Sequence, residues 1–219
     1  MKIHQLQQGE GRKLYLILNG WSAAPELFEA LPLPAGADVW VGYDYRSLTF
    51  PESLARFEEL HLIAWSLCVW FASALWGSAS PFTTTTAING TPFPIHAEWG
   101  IPPAIFEGTL AHLDADGFRR FDRRMCGDRA TLQRYQQLRP IPDADKAEEL
   151  RALHQAIGAT EIDPQQAEAF WKRAIISSAD RIFPTANQQT YWTGKAEIHT
   201  IEASHLPFYQ PELTANLWR

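Results

Sequence analysis

The chain has 219 residues, 46% of them hydrophobic and 20% charged, with a formal net charge of −6. That length holds one domain with room for an insertion, and that balance excludes a disordered chain. The negative charge argues against nucleic-acid binding through the surface at large, and no continuous apolar run reaches the ~18 residues that span a bilayer.

Leu14-Tyr15-Leu16-Ile17-Leu18 is a continuous apolar run and reads as a central parallel strand, ending in the turn-rich Asn19-Gly20-Trp21-Ser22. An amphipathic stretch from Pro25 to Leu31 follows. The second strand is read over Asp38 to Asp44 and a helix over Glu52 to Leu60. The third strand, Leu60 to Trp65, runs into Ser66 and then a helix reaching Trp76. A threonine-rich fourth strand is placed over Thr83 to Asn89, a fifth over Ala174 to Asp180 and a sixth over Ala196 to Ala203; Pro211 to Arg219 closes the chain as a helix. Strands alternating with helices predict an α/β fold with a mostly parallel sheet and helices on both faces. Residues 104–172 have helical composition and no strand pattern. They are expected to form a lid inserted before the last two strands, with a break at Pro140-Ile141-Pro142-Asp143 and the core supplied by 1–103 and 173–219.

The first residues, Met1-Lys2-Ile3-His4-Gln5, carry no long apolar run of a secretory signal. Cys68 and Cys126 form neither a disulfide framework nor a metal-spaced cluster, so a cytoplasmic protein is expected. There is no G-x-G-x-x-G after the first strand, no phosphate-binding P-loop and no H-E-x-x-H, so no cofactor and no metal is expected.

The chemistry is concentrated at the carboxyl ends of the strands, where ligands gather in open parallel sheets. Ser66 stands at the strand-to-helix turn with the small residues Ala64 and Cys68 two positions either side, the layout of a nucleophile elbow with both usual glycines replaced. Asp180 follows the fifth strand and His205 the sixth. Serine, acid, histidine is the chain order of the α/β-hydrolase triad, in which histidine removes the hydroxyl proton and the carboxylate fixes its tautomer. Each residue also has an ordinary explanation: a helix N-cap, a turn-capping aspartate, a solvated loop histidine. The loop after the fourth strand is the other place for an acid, and no aspartate or glutamate stands just after that strand. Backbone N–H groups of Leu67 and, in the loop after the first strand, Trp21 are the candidate oxyanion donors.

On Leu18-Asn19-Gly20-Trp21, Tyr43-Asp44-Tyr45-Arg46, Ala64-Trp65-Ser66-Leu67, Asn89-Gly90-Thr91-Pro92, Asp180-Arg181-Ile182-Phe183-Pro184 and His205-Leu206-Pro207-Phe208, the chain resembles the α/β-hydrolases. More narrowly, it resembles the short BioG-type pimeloyl-acyl-carrier-protein methyl ester esterases of biotin synthesis, over nearly its whole length. The resemblance implies a serine esterase that uses Ser66, Asp180 and His205 on a methyl ester borne by an acyl-carrier protein. From Leu113 to Arg139 there are seven arginines and four aspartates. Since carrier proteins are acidic, Arg119, Arg120, Arg123 and Arg124 are expected to dock the carrier while Phe118 and Phe121 line the acyl tunnel. A monomer is expected. A general carboxylesterase or thioesterase on small acyl substrates, and a non-catalytic acyl-binding protein on the same scaffold, stay open. The last is favoured if the three residues do not meet in space.

Overall fold

The structure, a computed structural model, describes residues 1–218. Seven strands form one sheet in the order β1-β3-β2-β4-β5-β6-β7: β1 Lys2–Gln7, β2 Lys13–Leu18, β3 Asp38–Tyr43, β4 Glu59–Trp65, β5 Thr84–Ile88, β6 Arg173–Ser177 and β7 Glu197–Ile201. All neighbouring pairs are parallel except β1 with β3, which is antiparallel with a bulge between Gln5 and Gln7. Leu14, Leu16, Ile17 and Leu18 of β2 and Leu62 and Ala64 of β4 are wholly buried at the sheet centre. Each such aliphatic side chain contributes about 1.5–3 kcal/mol, which is why the strands with continuous apolar runs take the middle places.

The chain steps from β2 outward to β3, then crosses back over β2 to β4 and proceeds in one direction to β7. With right-handed crossovers, that reversal puts connections on both faces. One face carries α1 (Cys68–Trp76), the end of α6 (Pro164–Phe170) and α7 (Thr185–Trp192): the Trp171 indole N–H donates to Ser73 Oγ at 2.9 Å, and its ring meets that of Trp192. The other carries the 3-10 turn Pro25–Phe28 and the closing helix, where Phe28 packs edge-on against Phe208 and the Trp218 indole donates to the Pro32 carbonyl. Five helices stand between β5 and β6: α2 (Pro103–Leu110), α3 (Ala115–Cys126), α4 (Arg129–Tyr135), α5 (Asp143–Ala159) and α6. The Asp114 and Asp128 side chains accept the Gly117 and Thr131 backbone N–H groups and so cap α3 and α4. The closing helix, α8, is Pro211–Asn216; the predicted extension to Arg219 ends outside the described residues.

Three elements depart from the sequence reading. The antiparallel edge strand β1 raises the strand count from six to seven. Its polar Lys-Ile-His-Gln-Leu-Gln presents only Ile3 and Leu6 to the core. The helix expected over Glu52 to Leu60 does not form. Ser53 Oγ takes the Ala55 N–H, a single turn closes from Phe57 N to the Leu54 carbonyl, and Phe57 is drawn edge-on to Trp40 with Arg56 over both rings. A segment that short has no helical stability without a face to bury, and its serine competes for the backbone. Helix α7 lies where the sequence carries no amphipathic period.

Candidate active site

Among the described residues, four non-glycine residues have positive φ, and all four stand just beyond the carboxyl ends of β2 to β5: Ser22 (66°), Asp44 (59°), Ser66 (62°) and Asn89 (48°). Left-handed backbone at such residues costs on the order of 1–3 kcal/mol each and collects at functional rims. At Ser66 it turns the chain from β4 into α1 and aims the hydroxyl off the sheet edge. The Ser66 N–H still reaches the Ile88 carbonyl at 2.9 Å, and Val69 N–H closes onto the Ser66 carbonyl at 3.1 Å.

The elbow is tight. A methyl at Gly90 would lie 2.3 Å from the Ser66 carbonyl oxygen, which has no freedom to retreat. Gly90→Ala is therefore expected to cost about 3 kcal/mol, lowering Tm by roughly 6–12 °C in a thermal melt. Cys68 replaces the second glycine of the usual elbow without strain. Its thiol is buried and donates to the Asn19 carbonyl at 2.8 Å, and burial holds it well above the ordinary thiol range.

The structure brings Ser66, His205 and Asp180 together. His205 Nε2 is 2.9 Å from Ser66 Oγ and its Nδ1 is 2.8 Å from Asp180 Oδ2; the three are 6%, 1% and 8% exposed. With Nδ1–H donating to the carboxylate, Nε2 is left to accept the serine hydroxyl. Asp180 is anchored by its other oxygen, which accepts Ile182 N–H at 2.8 Å and Phe183 N–H at 2.9 Å, while Oδ2 also accepts from Gln188 Nε2. The His205 carbonyl receives the Trp65 indole N–H and Asn89 Nδ2, each at 2.9 Å; flanking it, Ser204 Oγ donates to the Cys126 carbonyl and Leu206 N–H to that of Met125. The histidine loop is thus fixed to β4, to β5 and to the end of α3. Asn89 and Gln188 hold this arrangement and were not singled out as site residues. The Asn-Gly pair ending β5 was the available signal for the first, and nothing local marks the second.

An apolar pocket of about 30 Å³, space for a water or two, lies over Ser66 and His205. Trp21, Leu67, Ile105, Phe106, Phe121 and Met125 are among its walls, and Arg124 reaches into it with a buried Nε that has no partner among the described residues. A cleft of about 750 Å³ between α2 and α3 shares Trp21, Ile105, Thr109, Phe121 and Arg124 with that pocket and continues it to the surface. Ile105 is half exposed there. Phe118, Arg120 and Arg123 line the outer cleft alone, whereas Phe121 also lines the pocket over Ser66. Arg119 lines neither cavity and pairs with Asp116 on its own helix, because the i,i+3 spacing puts them side by side. The wall residues Ile101, Ile105, Phe106 and Leu150 were not found from sequence, where they carry no common period.

The chain matches the family model "Pimeloyl-ACP methyl esterase BioG" over residues 1–215. It belongs to the BioG family. The crystal structure of Haemophilus influenzae BioG is 35% identical, superposes with a TM-score of 0.89 and covers 95% of each chain. A malonyl-[acyl-carrier protein] O-methyltransferase of Bacteroides fragilis is 40% identical over 176 residues, 79% of this chain but only 35% of that protein. The fold is shared with an esterase from Exiguobacterium antarcticum, at 12% identity and a TM-score of 0.71 over 98% of this chain and 92% of that one. The protein is a carboxylic ester hydrolase of the α/β-hydrolase fold. Among the described residues no helix is long and apolar enough to cross a membrane.

Proposed function

We propose that this BioG-family esterase hydrolyses the methyl ester of pimeloyl-acyl-carrier protein with Ser66 as nucleophile, His205 as base and Asp180 as its orienting carboxylate. The observation that supports it most is the hydrogen-bonded Ser66–His205–Asp180 chain at the floor of an apolar pocket. His205 Nε2 takes the hydroxyl proton as Ser66 Oγ attacks the ester carbonyl. The Trp21 and Leu67 backbone N–H groups receive the oxyanion, a stabilisation worth about 3 kcal/mol per donor. Collapse breaks the bond to methoxide, which leaves as methanol with the proton from His205. Water then attacks the acyl-enzyme and gives a proton to His205; collapse breaks the bond to Ser66 Oγ, which takes that proton back from His205 as the free ω-carboxylate is released.

The acyl chain would run from Ser66 past Phe121 into the cleft between α2 and α3. The inner pocket is too small for it as it stands, so residues 104–172 act as a lid that parts on binding. Arg120 and Arg123 on the cleft rim face outward, where an acidic carrier would arrive, and Arg124 lies deeper, within reach of the chain or its linker. The Bacteroides relative, by its name, methylates an acyl group on a carrier. A chain like this one, joined to that activity, would remove the ester that methylation adds. Reversing charge at Arg120 and Arg123 should raise KM for the carrier-bound methyl ester about tenfold and leave a short p-nitrophenyl ester within twofold. Equal losses on both substrates would show that the arginines do not dock the carrier and would favour a general small-ester hydrolase.

A further inference from the structure

Glu149, on α5, is 6% exposed and takes no part in the triad. Its carboxylate accepts the Tyr45 backbone N–H at 2.8 Å, and the Ser22 N–H also faces it and favours the charged form. Ser22 and Asp44, at or beside these two contacts, are two of the four left-handed turns on the rim. Ser22 follows Trp21, whose own N–H is the oxyanion donor of the proposed mechanism. Other groups of the insertion hold the same loop: the Trp21 indole donates to the Lys146 carbonyl at 2.8 Å, the Tyr135 hydroxyl to the Ser22 carbonyl at 3.0 Å, and Phe121 packs edge-on to the Trp21 ring. Of these, Glu149 alone bonds to main-chain N–H groups through a side chain that can change charge.

We propose that Glu149 is a positioning residue, whose carboxylate holds the Trp21–Ser22 turn so that the Trp21 N–H points at the oxyanion; this rests on the oxyanion reading given above. An ionised carboxylate offers both oxygens as acceptors, whereas a protonated one keeps a single good acceptor and releases one of the two turns. Burial pushes this carboxyl up to about 7, against the pull of the Tyr45 and Ser22 N–H groups. The groups facing it are Asp44 and Arg46 from the loop after β3, the Met1 amino group just before β1, and Tyr45 and the Cys68 thiol of α1. On its own helix, Asp145 and Glu148 are taken up by Arg46. Lys2, Glu26 and Arg139 line the same surface cleft as Glu149.

Because its folded value lies above its value of 4.5 in the unfolded chain, the native state binds the extra proton between those two pH values. Stability from this group is present at low pH and lost as pH rises to about 7. A buried carboxylate retained at such a cost suits a functional task better than a structural one.

The test is Glu149→Gln, assayed on a short p-nitrophenyl ester from pH 5 to 9 beside wild type, with Ser66→Ala as control. The expected result at pH 8 is a 10- to 100-fold fall in kcat, KM within twofold and Tm equal to or above wild type. The acid limb of kcat should also be shallower, since one of two protonations has been removed. A kcat within twofold of wild type, an acid limb of equal steepness, or a fall in Tm accompanying the loss of kcat overturns the proposal. Should the variant not fold, the wild-type limb decides, and single-proton steepness overturns it. Ser66-dependent turnover in wild type keeps this outcome separate from failure of the esterase reading: its absence refutes the mechanism, whereas its presence with an active Glu149→Gln refutes only the role of Glu149.

Discussion

Ser66→Ala is expected to lower kcat for ester hydrolysis by about 10⁵- to 10⁶-fold, equivalent to roughly 7–8 kcal/mol of barrier, with Tm within a few degrees of wild type. The kinetic loss follows from geometry. Among the described residues the Ser66 hydroxyl, 2.9 Å away, is the one nucleophile hydrogen-bonded to His205 Nε2. The small stability change follows from the backbone. Alanine and serine meet the same steric cost at φ 62°, so the strain of the elbow is unaltered, and only one hydrogen bond worth about 1 kcal/mol is lost. Steady-state kinetics on a p-nitrophenyl ester together with a thermal melt measure both. Residual turnover above a thousandth of wild type would point to a different nucleophile.

Asp180→Asn is the second large effect, a fall of about 10⁴-fold in kcat with substrate binding little changed. The direction is set by the aspartate's anchors. Its Oδ1 accepts two backbone N–H groups, from Ile182 and Phe183, so an asparagine keeps its carbonyl oxygen there and turns its NH₂ toward His205. Imidazole Nδ1 must then accept, the proton moves to Nε2, and the ring can no longer take one from Ser66. The opposite orientation would set an NH₂ against two N–H groups in a buried site and cost more. Measured kcat and KM for the variant check this. If a nearby carboxylate took over, activity would fall by less than about tenfold; among the described residues none other is hydrogen-bonded to His205.

The parallel sheet was legible because its central strands are buried on both faces and must be written as unbroken apolar runs, such as Leu14–Leu18 and Leu60–Trp65. Ser66, Asp180 and His205 were legible as neighbours for a related reason. A parallel sheet gathers the residues just past its strand ends along one edge, so positions far apart in the chain become adjacent by topology alone. Elements that face water or lie at the margin were not. Strand β1 buries none of its side chains fully, and its pairing to β3 depends on a partner the local sequence does not name. The helix expected over Glu52 to Leu60 is too short to form alone, and Phe57 reaches Trp40 from a single turn without it. The arginine-rich stretch was visible as composition, yet its division into a paired Arg119, rim residues Arg120 and Arg123, and an inward Arg124 is set by the rotation of α3 against α2. Glu149 gave no signal at all, since its significance lies in two N–H groups more than a hundred residues away in the chain.

The most direct measurement is intact-mass and peptide mapping after reaction with a fluorophosphonate, a reagent that captures a serine only when a base activates it. A single adduct on Ser66 in wild type, formed at least a hundredfold more slowly in His205→Ala, is the result these contacts predict. An adduct on another residue, or equal rates with and without the imidazole, would contradict them.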